Sequence, residues 1–301
     1  MKRVQRMRNY DEYKEIVNKN LLQHIPSIDD KAKVLRDSME YSLKVGGKRV
    51  RPVLLLAACE FAGGDINEAI PYACALEFIH TYSLIHDDLP CMDNDDLRRG
   101  QPTNHKVYGE DIATLAGDGL LNSAAELMYS ELIKCDDPAK IKNHAAAGYE
   151  IMSRSGVRGM IGGQVADVIN ENKKGTKELV QFIEEHKTGD LITAGVLAGL
   201  AIAGADEDTK KNFEEYAMSI GIAFQVLDDI LDFEGDAELM GKTLGKDIDQ
   251  DKCNFVCVHG LDAAKIELHR LTEYAISRLD EYGEDADFFR QFATRLENRN
   301  R

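Results

Sequence analysis

Apolar residues recur along this chain at spacings of three and four, and alternation at period two is nearly absent, so the pattern predicts helices rather than strands. Helices are expected over 9–23, 29–45, 50–62, 67–89, 109–134, 138–155, 157–171, 175–203, 207–233, 251–257, 261–281 and 285–298. Prolines stand at 26, 52, 71, 90, 102 and 138, and none follows. A proline-free second half rich in Ala, Leu, Glu, Lys and Ile is a helical signature. Glycines fall mostly at the joints, among them 46–47, 63–64, 162–163, 204 and 260. No low-complexity linker or short repeat divides the sequence. A single domain over residues 1–301 is therefore expected, large enough to bury a substantial core.

The pattern is most unusual between residues 76 and 100. Leu76 to Asp88 is almost continuously apolar and lacks Gly and Pro, as in a helix buried on most sides. It ends in Asp87, Asp88, Asp93, Asp95 and Asp96, followed at once by Arg98 and Arg99. His80, Ser83, Leu84 and Asp87 fall on one stripe of that helix. Pro90 cannot continue it, and a bend there would bring Asp93 back beside the first pair. Two unit charges roughly 4 Å apart interact by about 4 kcal/mol at an effective dielectric near 20. Crowded carboxylates at the end of an apolar helix therefore call for a cation, and hard oxygen donors suit magnesium or calcium rather than zinc.

A second acidic cluster, Asp228, Asp229 and Asp232, lies in FQVLDDILD. Asp228 and Asp232 are one turn apart on one face, and Gly221 and Gln225 extend that stripe. Alone, this segment reads equally as an amphipathic surface helix with incidental acids. Were the two clusters to face each other, they would form an oxygen-lined cage for several divalent ions, suited to a diphosphate. Cations are also at hand. Gly46-Gly47-Lys48-Arg49-Val50-Arg51-Pro52 opens a helix with three of them, an arrangement that can hold an anion. Lys187-Thr188-Gly189 and Lys242, Lys246 and Lys252 complete the set, although each lysine singly also reads as solvated surface.

Composition narrows the partners. A net charge of −16 argues against nucleic acid. It also makes an anionic substrate depend on metal ions or local basic clusters. The six cysteines form no CxxC pair, which fits a reduced, cytoplasmic setting. The basic start MKRVQRMRN lacks the apolar stretch of a signal peptide, and no apolar run reaches the ~18 residues of a membrane span.

In their order along the chain, GGKRVRP, LEFIHTYSLIHDDLPCMDNDDLRRGQPTNH, GGQVAD, HKTG, FQVLDDILD and LGKD resemble the trans-isoprenyl diphosphate synthases of the bacterial farnesyl type. The resemblance covers residues 40–301. It implies an all-α bundle of mostly antiparallel helices around a central cavity, the isoprenoid synthase fold. It implies that Asp87, Asp88, Asp93, Asp228 and Asp232, with Asp229 acting through water, hold three magnesium ions, for which Mn2+ can substitute. Arg98, Lys187 and Lys242 would grip an allylic diphosphate, dimethylallyl or geranyl. Gly47, Lys48, Arg51, His80 and Arg99 would grip isopentenyl diphosphate. Thr188 and Gln225 would stand near the forming carbocation. Gln164 and Asp167 would support the site from outside, and Arg299 and Arg301 resemble a basic tail that closes over the second substrate. Tyr82, with Ser83, matches the floor that limits product length, so a C15 product is expected, with C10 and C20 as alternatives. Asn254 stands where relatives often carry Thr or Ser after the lysine, here Lys252. A homodimer is implied as well.

Other readings fit less of the sequence. A terpene cyclase would need a different second metal motif and no GGKRVRP. An HD-type phosphohydrolase would use His86-Asp87 but leaves two acidic clusters unexplained. A calcium loop starting at Asp93 would need Gly in place of Arg98 and Glu in place of Asn104. An acidic helical scaffold would release no diphosphate.

Overall fold

Local capping chemistry begins the first helix, α1 (Tyr10–Leu21): the Asn9 side chain accepts from the Glu12 amide while the Glu12 carboxylate accepts from the Asn9 amide, a reciprocal cap. The structure, a computed structural model, describes residues 7–171, 173, 175–240 and 254–299. The described residues fall into two compact units: one takes 7–152 together with 195–205, the other those of 153–194 and 206–299.

In the first unit α1 is followed by α2 (Lys33–Lys44), α3 (Val50–Phe61) and α4 (Ile66–Asp87). A two-stranded hairpin follows, β1 (Leu97–Arg98) paired antiparallel with β2 (Gln101–Pro102). Next come α5 (Asn104–Tyr108), α6 (Glu110–Lys134) and most of α7 (Pro138–Ser155). The helix α4 is the unit's axis, with α3 and α6 packed along it. Its Tyr72, Cys74, Leu76, Phe78 and Ile79 are fully buried, as are residues 53–59 of α3. Burying each large apolar side chain contributes about 1.5–3 kcal/mol, so this seam dominates the unit's stability. The apolar run in the middle of α4 follows from that: residues 71–79 are all buried and have no solvent face.

The second unit holds α8 (Met160–Asn170), α9 (Lys177–Ile183), a π-helical turn over Glu184–Gly189 and the first residues of α10 (Asp190–Ala203). It continues with the long α11 (Glu207–Met240), then α12 (Phe255–His259), α13 (Leu261–Ser277), a 3-10 stretch and α14 (Asp287–Glu297). An aromatic cluster ties α11 to α14: the rings of Phe213 and Phe289 meet edge to face at 4.9 Å, and the Tyr216 hydroxyl donates to the Phe289 carbonyl at 2.8 Å.

The all-α expectation holds, and most expected boundaries fall within a few residues of the observed ones. Three differences matter. The hairpin was not expected; among the described residues it is the only sheet. Its turn has Arg99 at φ 54° and Gly100 at φ 76°, the mirror-image turn that suits strand twist. The expected helix over 175–203 is three pieces, because the π turn interrupts it. The expected helix over 207–233 continues to Met240. Lys242, Lys246, Lys252 and Arg301 lie outside the described residues. No helix among the described residues is long and apolar enough to cross a membrane.

Candidate active site

The first acidic motif hangs from the end of α4. Past Pro90 the chain folds back, and the Asp93 amide donates to the Asp87 carbonyl at 2.8 Å. The bend expected from Pro90 thus returns Asp93 to Asp87. The motif's second aspartate is different. Asp88 is 3 % exposed and is clamped by Arg98 of β1, with Nε at 2.7 and 2.9 Å from its two oxygens and Nη2 at 2.5 Å. Burial pushes the Asp88 carboxyl up and the guanidinium pulls it back. Asp87 is half-buried and Asp93 exposed. Asp96 is spent on Lys106 at 2.6 Å.

The basic residues of the same unit gather around His80. Burial, then Arg51, Arg99, Arg49 and Arg98 in that order, hold its imidazole well below the usual range, so it is neutral at physiological pH. Arg99 lies flat against Gly47, where an added methyl would sit 2.5 Å from Nη1. The structure therefore brings Gly47, Arg51, His80 and Arg99 together. Tyr82 is 6 % exposed and sits edge-on to His86 at 5.7 Å. Burial and Asp87 push its hydroxyl up to about 12. The His86 ring is in turn pressed on Gly117 of α6, with Nε2 3.0 Å from the Thr114 carbonyl. Tyr82 accordingly stands in the α4–α6 seam. The Ser83 hydroxyl turns back on its own helix, donating to the His80 carbonyl at 2.9 Å.

In the second unit the π turn carries Lys187 and Thr188, and such turns concentrate at functional sites. Two glycines let neighbouring backbones approach it: a methyl on Gly163 would strike the Lys187 backbone, and one on Gly221 would sit 2.5 Å from the Gly189 Cα. Lys187 pairs with Asp167 of α8 at 2.5 Å. The Thr188 hydroxyl donates to Gln225 Oε1 at 3.0 Å, and Gln225 Nε2 donates to Asp229 Oδ1 at 3.0 Å. The Phe255 amide donates to the other Asp229 oxygen at 2.9 Å. Asp229 is 7 % exposed, and burial pushes its carboxyl up to about 6 against those two hydrogen bonds, with Asp232 and Asp228 adding to the rise. Asp232 is exposed, and Asp228 is half-buried and paired with Arg299, whose guanidinium lies 4.9 Å over the Phe224 ring. Arg299 thus meets an aspartate of the motif.

Glu184 is a functional candidate that the motifs do not reveal. At the start of the π turn, it is 4 % exposed, with Oε1 buried and without a hydrogen-bond partner. Burial, then the charges of Asp229, Glu267 and Glu185, push its carboxyl up to about 9. The signal was the helical register of FIEEHKTG, which turns one of its two glutamates inward.

The donor set fits a hard divalent ion. In each motif the second aspartate is buried, whereas the first is half-buried and the last exposed, Asp228 being paired with Arg299. Among the described residues no three carboxylate, imidazole or thiol groups close on one point. Magnesium usually takes one or two protein carboxylates and completes its shell with water and phosphate oxygens.

The sequence model for polyprenyl synthetase matches residues 32–287. The chain belongs to the polyprenyl synthetase family. It is 44 % identical over 265 residues to a geranylgeranyl diphosphate synthase of Cyanophora paradoxa, covering 88 % of this chain and 86 % of that one. It is 47 % identical over 234 residues to the farnesyl diphosphate synthase of Bacillus subtilis, covering 78 % of each. The crystal structure of an FPP/GFPP synthase from Zymomonas mobilis matches with a TM-score of 0.83 at 32 % identity, over 96 % of this chain and 97 % of that one. This polyprenyl synthetase is accordingly a prenyltransferase of isoprenoid biosynthesis with the isoprenoid synthase fold. Its family acts on isoprenoid diphosphates and depends on divalent metal ions.

Proposed function

We propose that this polyprenyl synthetase joins isopentenyl diphosphate head-to-tail to dimethylallyl and then geranyl diphosphate, with magnesium, giving farnesyl diphosphate. The observation that carries the reading is the division within both acidic motifs. Asp88 and Asp229 are buried and held by Arg98, Gln225 and the Phe255 amide, while Asp87 and Asp228 are half-buried and Asp93 and Asp232 exposed.

On this reading Asp87, Asp93, Asp228 and Asp232 would hold three magnesium ions, or Mn2+ in their place, and Asp228 would exchange its pairing with Arg299 for that role. Asp88 and Asp229 act through the groups they fix, Arg98 and Gln225. When bound, the metal supplies Lewis-acid stabilisation of charge developing on the leaving diphosphate.

The protein's own residues do the rest. Arg98, Lys187 and Lys242 orient the allylic diphosphate. Gly47, Lys48, Arg51, neutral His80 and Arg99 orient isopentenyl diphosphate so that its double bond lies close to the allylic carbon. The allylic carbon–oxygen bond breaks with both electrons leaving on the diphosphate. The isopentenyl double bond supplies the pair for the new carbon–carbon bond, and the proton then lost goes to the departed diphosphate. Thr188 and Gln225 turn oxygen toward the cation, while the apolar α4–α6 seam keeps water away. Tyr82 closes that seam and stops growth at C15. Near-equal identity to a farnesyl and a geranylgeranyl synthase supports C20 as the second reading, with C10 the shorter alternative.

We further propose that both units act as one catalytic domain in a cytoplasmic homodimer. Tyr129 and Ile133 of α6, 66 % and 83 % exposed, and Tyr149 of α7, 63 % exposed, support a second copy of the chain as the partner. Incubation with labelled isopentenyl diphosphate and dimethylallyl or geranyl diphosphate tests the reaction, with product sizing by chromatography. The expected result is C15 alcohol after phosphatase treatment, abolished by chelating the metal. No diphosphate release from any allylic starter would reject the proposal.

A further inference from the structure

The proposed reaction leaves unused one buried ion pair, Arg49 with Glu77. Arg49 sits between the two cations assigned to the second diphosphate, Lys48 and Arg51. Its own backbone is in the left-handed region at φ 56°, a conformation a non-glycine residue keeps only when its surroundings enforce it. All three guanidinium nitrogens do so. Nη1 lies 2.5 Å from Glu77 Oε1, Nε donates to Asn18 Oδ1 at 3.0 Å, and Nη2 donates to the Leu43 carbonyl at 2.6 Å. The turn over 46–49 is thereby fastened to α4, α1 and α2 at once. The two side chains of the pair are 4 % and 3 % exposed.

Glu77 has a second oxygen to account for. Oε2 is buried and has no hydrogen-bond partner. Glu77 lines a small cavity together with Thr81, Asp88, Arg98 and Arg99. Burial holds the Arg99 guanidinium below its usual range; the Glu77 carboxylate opposes this, and Arg49 and Arg98 add to it. Arg99 in turn rests on Gly47 of the same turn. One carboxylate therefore bears on both halves of the basic cluster, on the turn through Arg49 and on Arg99 through the turn it rests on. A buried ion pair is poor evidence of stability, since well-packed apolar substitutes often do as well. A role in placing charged groups explains its retention better.

We infer that Glu77 is a positioning residue for the homoallylic diphosphate: through Arg49 it fixes the turn that presents Lys48 and Arg51 and on which Arg99 rests. The inference rests on the assignment of Gly47, Lys48, Arg51, His80 and Arg99 to that diphosphate. The test compares wild type, Glu77→Gln, Lys48→Ala and a double variant, Arg49→Met with Glu77→Leu, which refills the space without charge. KM for isopentenyl diphosphate, KM for geranyl diphosphate, kcat and Tm are measured on each. Glu77→Gln is expected to raise the isopentenyl KM about tenfold or more while moving the geranyl KM by less than about twofold. The double variant is expected to regain wild-type Tm without regaining that KM. A wild-type isopentenyl KM in either a folded Glu77→Gln or the double variant overturns the inference. Lys48→Ala separates the two levels. If it leaves the isopentenyl KM unchanged, the assignment of the diphosphate fails. If it raises that KM and the Glu77 variants do not, the positioning role alone fails.

Discussion

Glu184 offers the sharpest physical test of the second unit. Its carboxyl is displaced from 4.5 to about 9, because it is buried and faces the charges of Asp229, Glu267 and Glu185. In the folded chain it therefore holds a proton that the unfolded chain releases. Stability is greatest below the unfolded value and is lost as pH rises through the window between the two. A tenfold difference in proton affinity corresponds to about 1.4 kcal/mol, so at neutral pH keeping the buried proton costs about 3 kcal/mol. Glu184→Gln is neutral in both states and escapes that cost. Its amide leaves polar groups to satisfy, which takes back about 1–3 kcal/mol. The pH slope is free of that offset. Urea unfolding of both proteins at several points between about pH 6 and pH 8 should show the variant gaining on wild type by about 1.4 kcal/mol for each step of one in pH. Parallel stability curves would mean that Glu184 is ionised in the fold, and the account of its burial would be wrong.

Other outcomes follow from the same contacts. Arg98→Ala strands a buried carboxylate at Asp88 and should cost about 3 kcal/mol by urea melt, whereas Arg98→Ala combined with Asp88→Asn should recover most of it. Tyr82→Ala should move product from C15 to C20 by chromatography, at a cost of about 3 kcal/mol in stability for the lost ring; unchanged product length would remove Tyr82 from the floor.

The helices were legible because three- and four-residue spacing persists over ten or more residues and because Pro and Gly mark most joints. What was not legible is short or depends on contact at a distance. The hairpin over Leu97–Pro102 and the five-residue α5 are too brief for any period to register. The π turn is accommodated by Gly163 and Gly221, which lie 24 and 34 residues from Lys187 in the sequence and meet its turn only in the fold. The candidate residues could be named from motifs, and the return of Asp93 could be read from Pro90. The burial of the second aspartate in each motif could not, although the resemblance already gave Asp229 a different role. Asp88 and Asp229 look like their neighbours in sequence, and only burial and the partners Arg98, Gln225 and Phe255 set them apart. Glu184 was hidden for the same reason, since an acid beside another acid reads as surface until its side chain is seen to be inside.

The central claim is that aspartates of both motifs share magnesium on a single allylic diphosphate. A double-mutant cycle on Asp87→Asn and Asp228→Asn tests it, read as the Kd of a non-ionising allylic thiolodiphosphate in the presence of Mn2+. Shared ions predict that the two losses fall short of additivity by more than about 1 kcal/mol, as expected of residues acting through common partners. Losses that add to within about 0.5 kcal/mol would mean that the motifs bind independently, and the account would be contradicted.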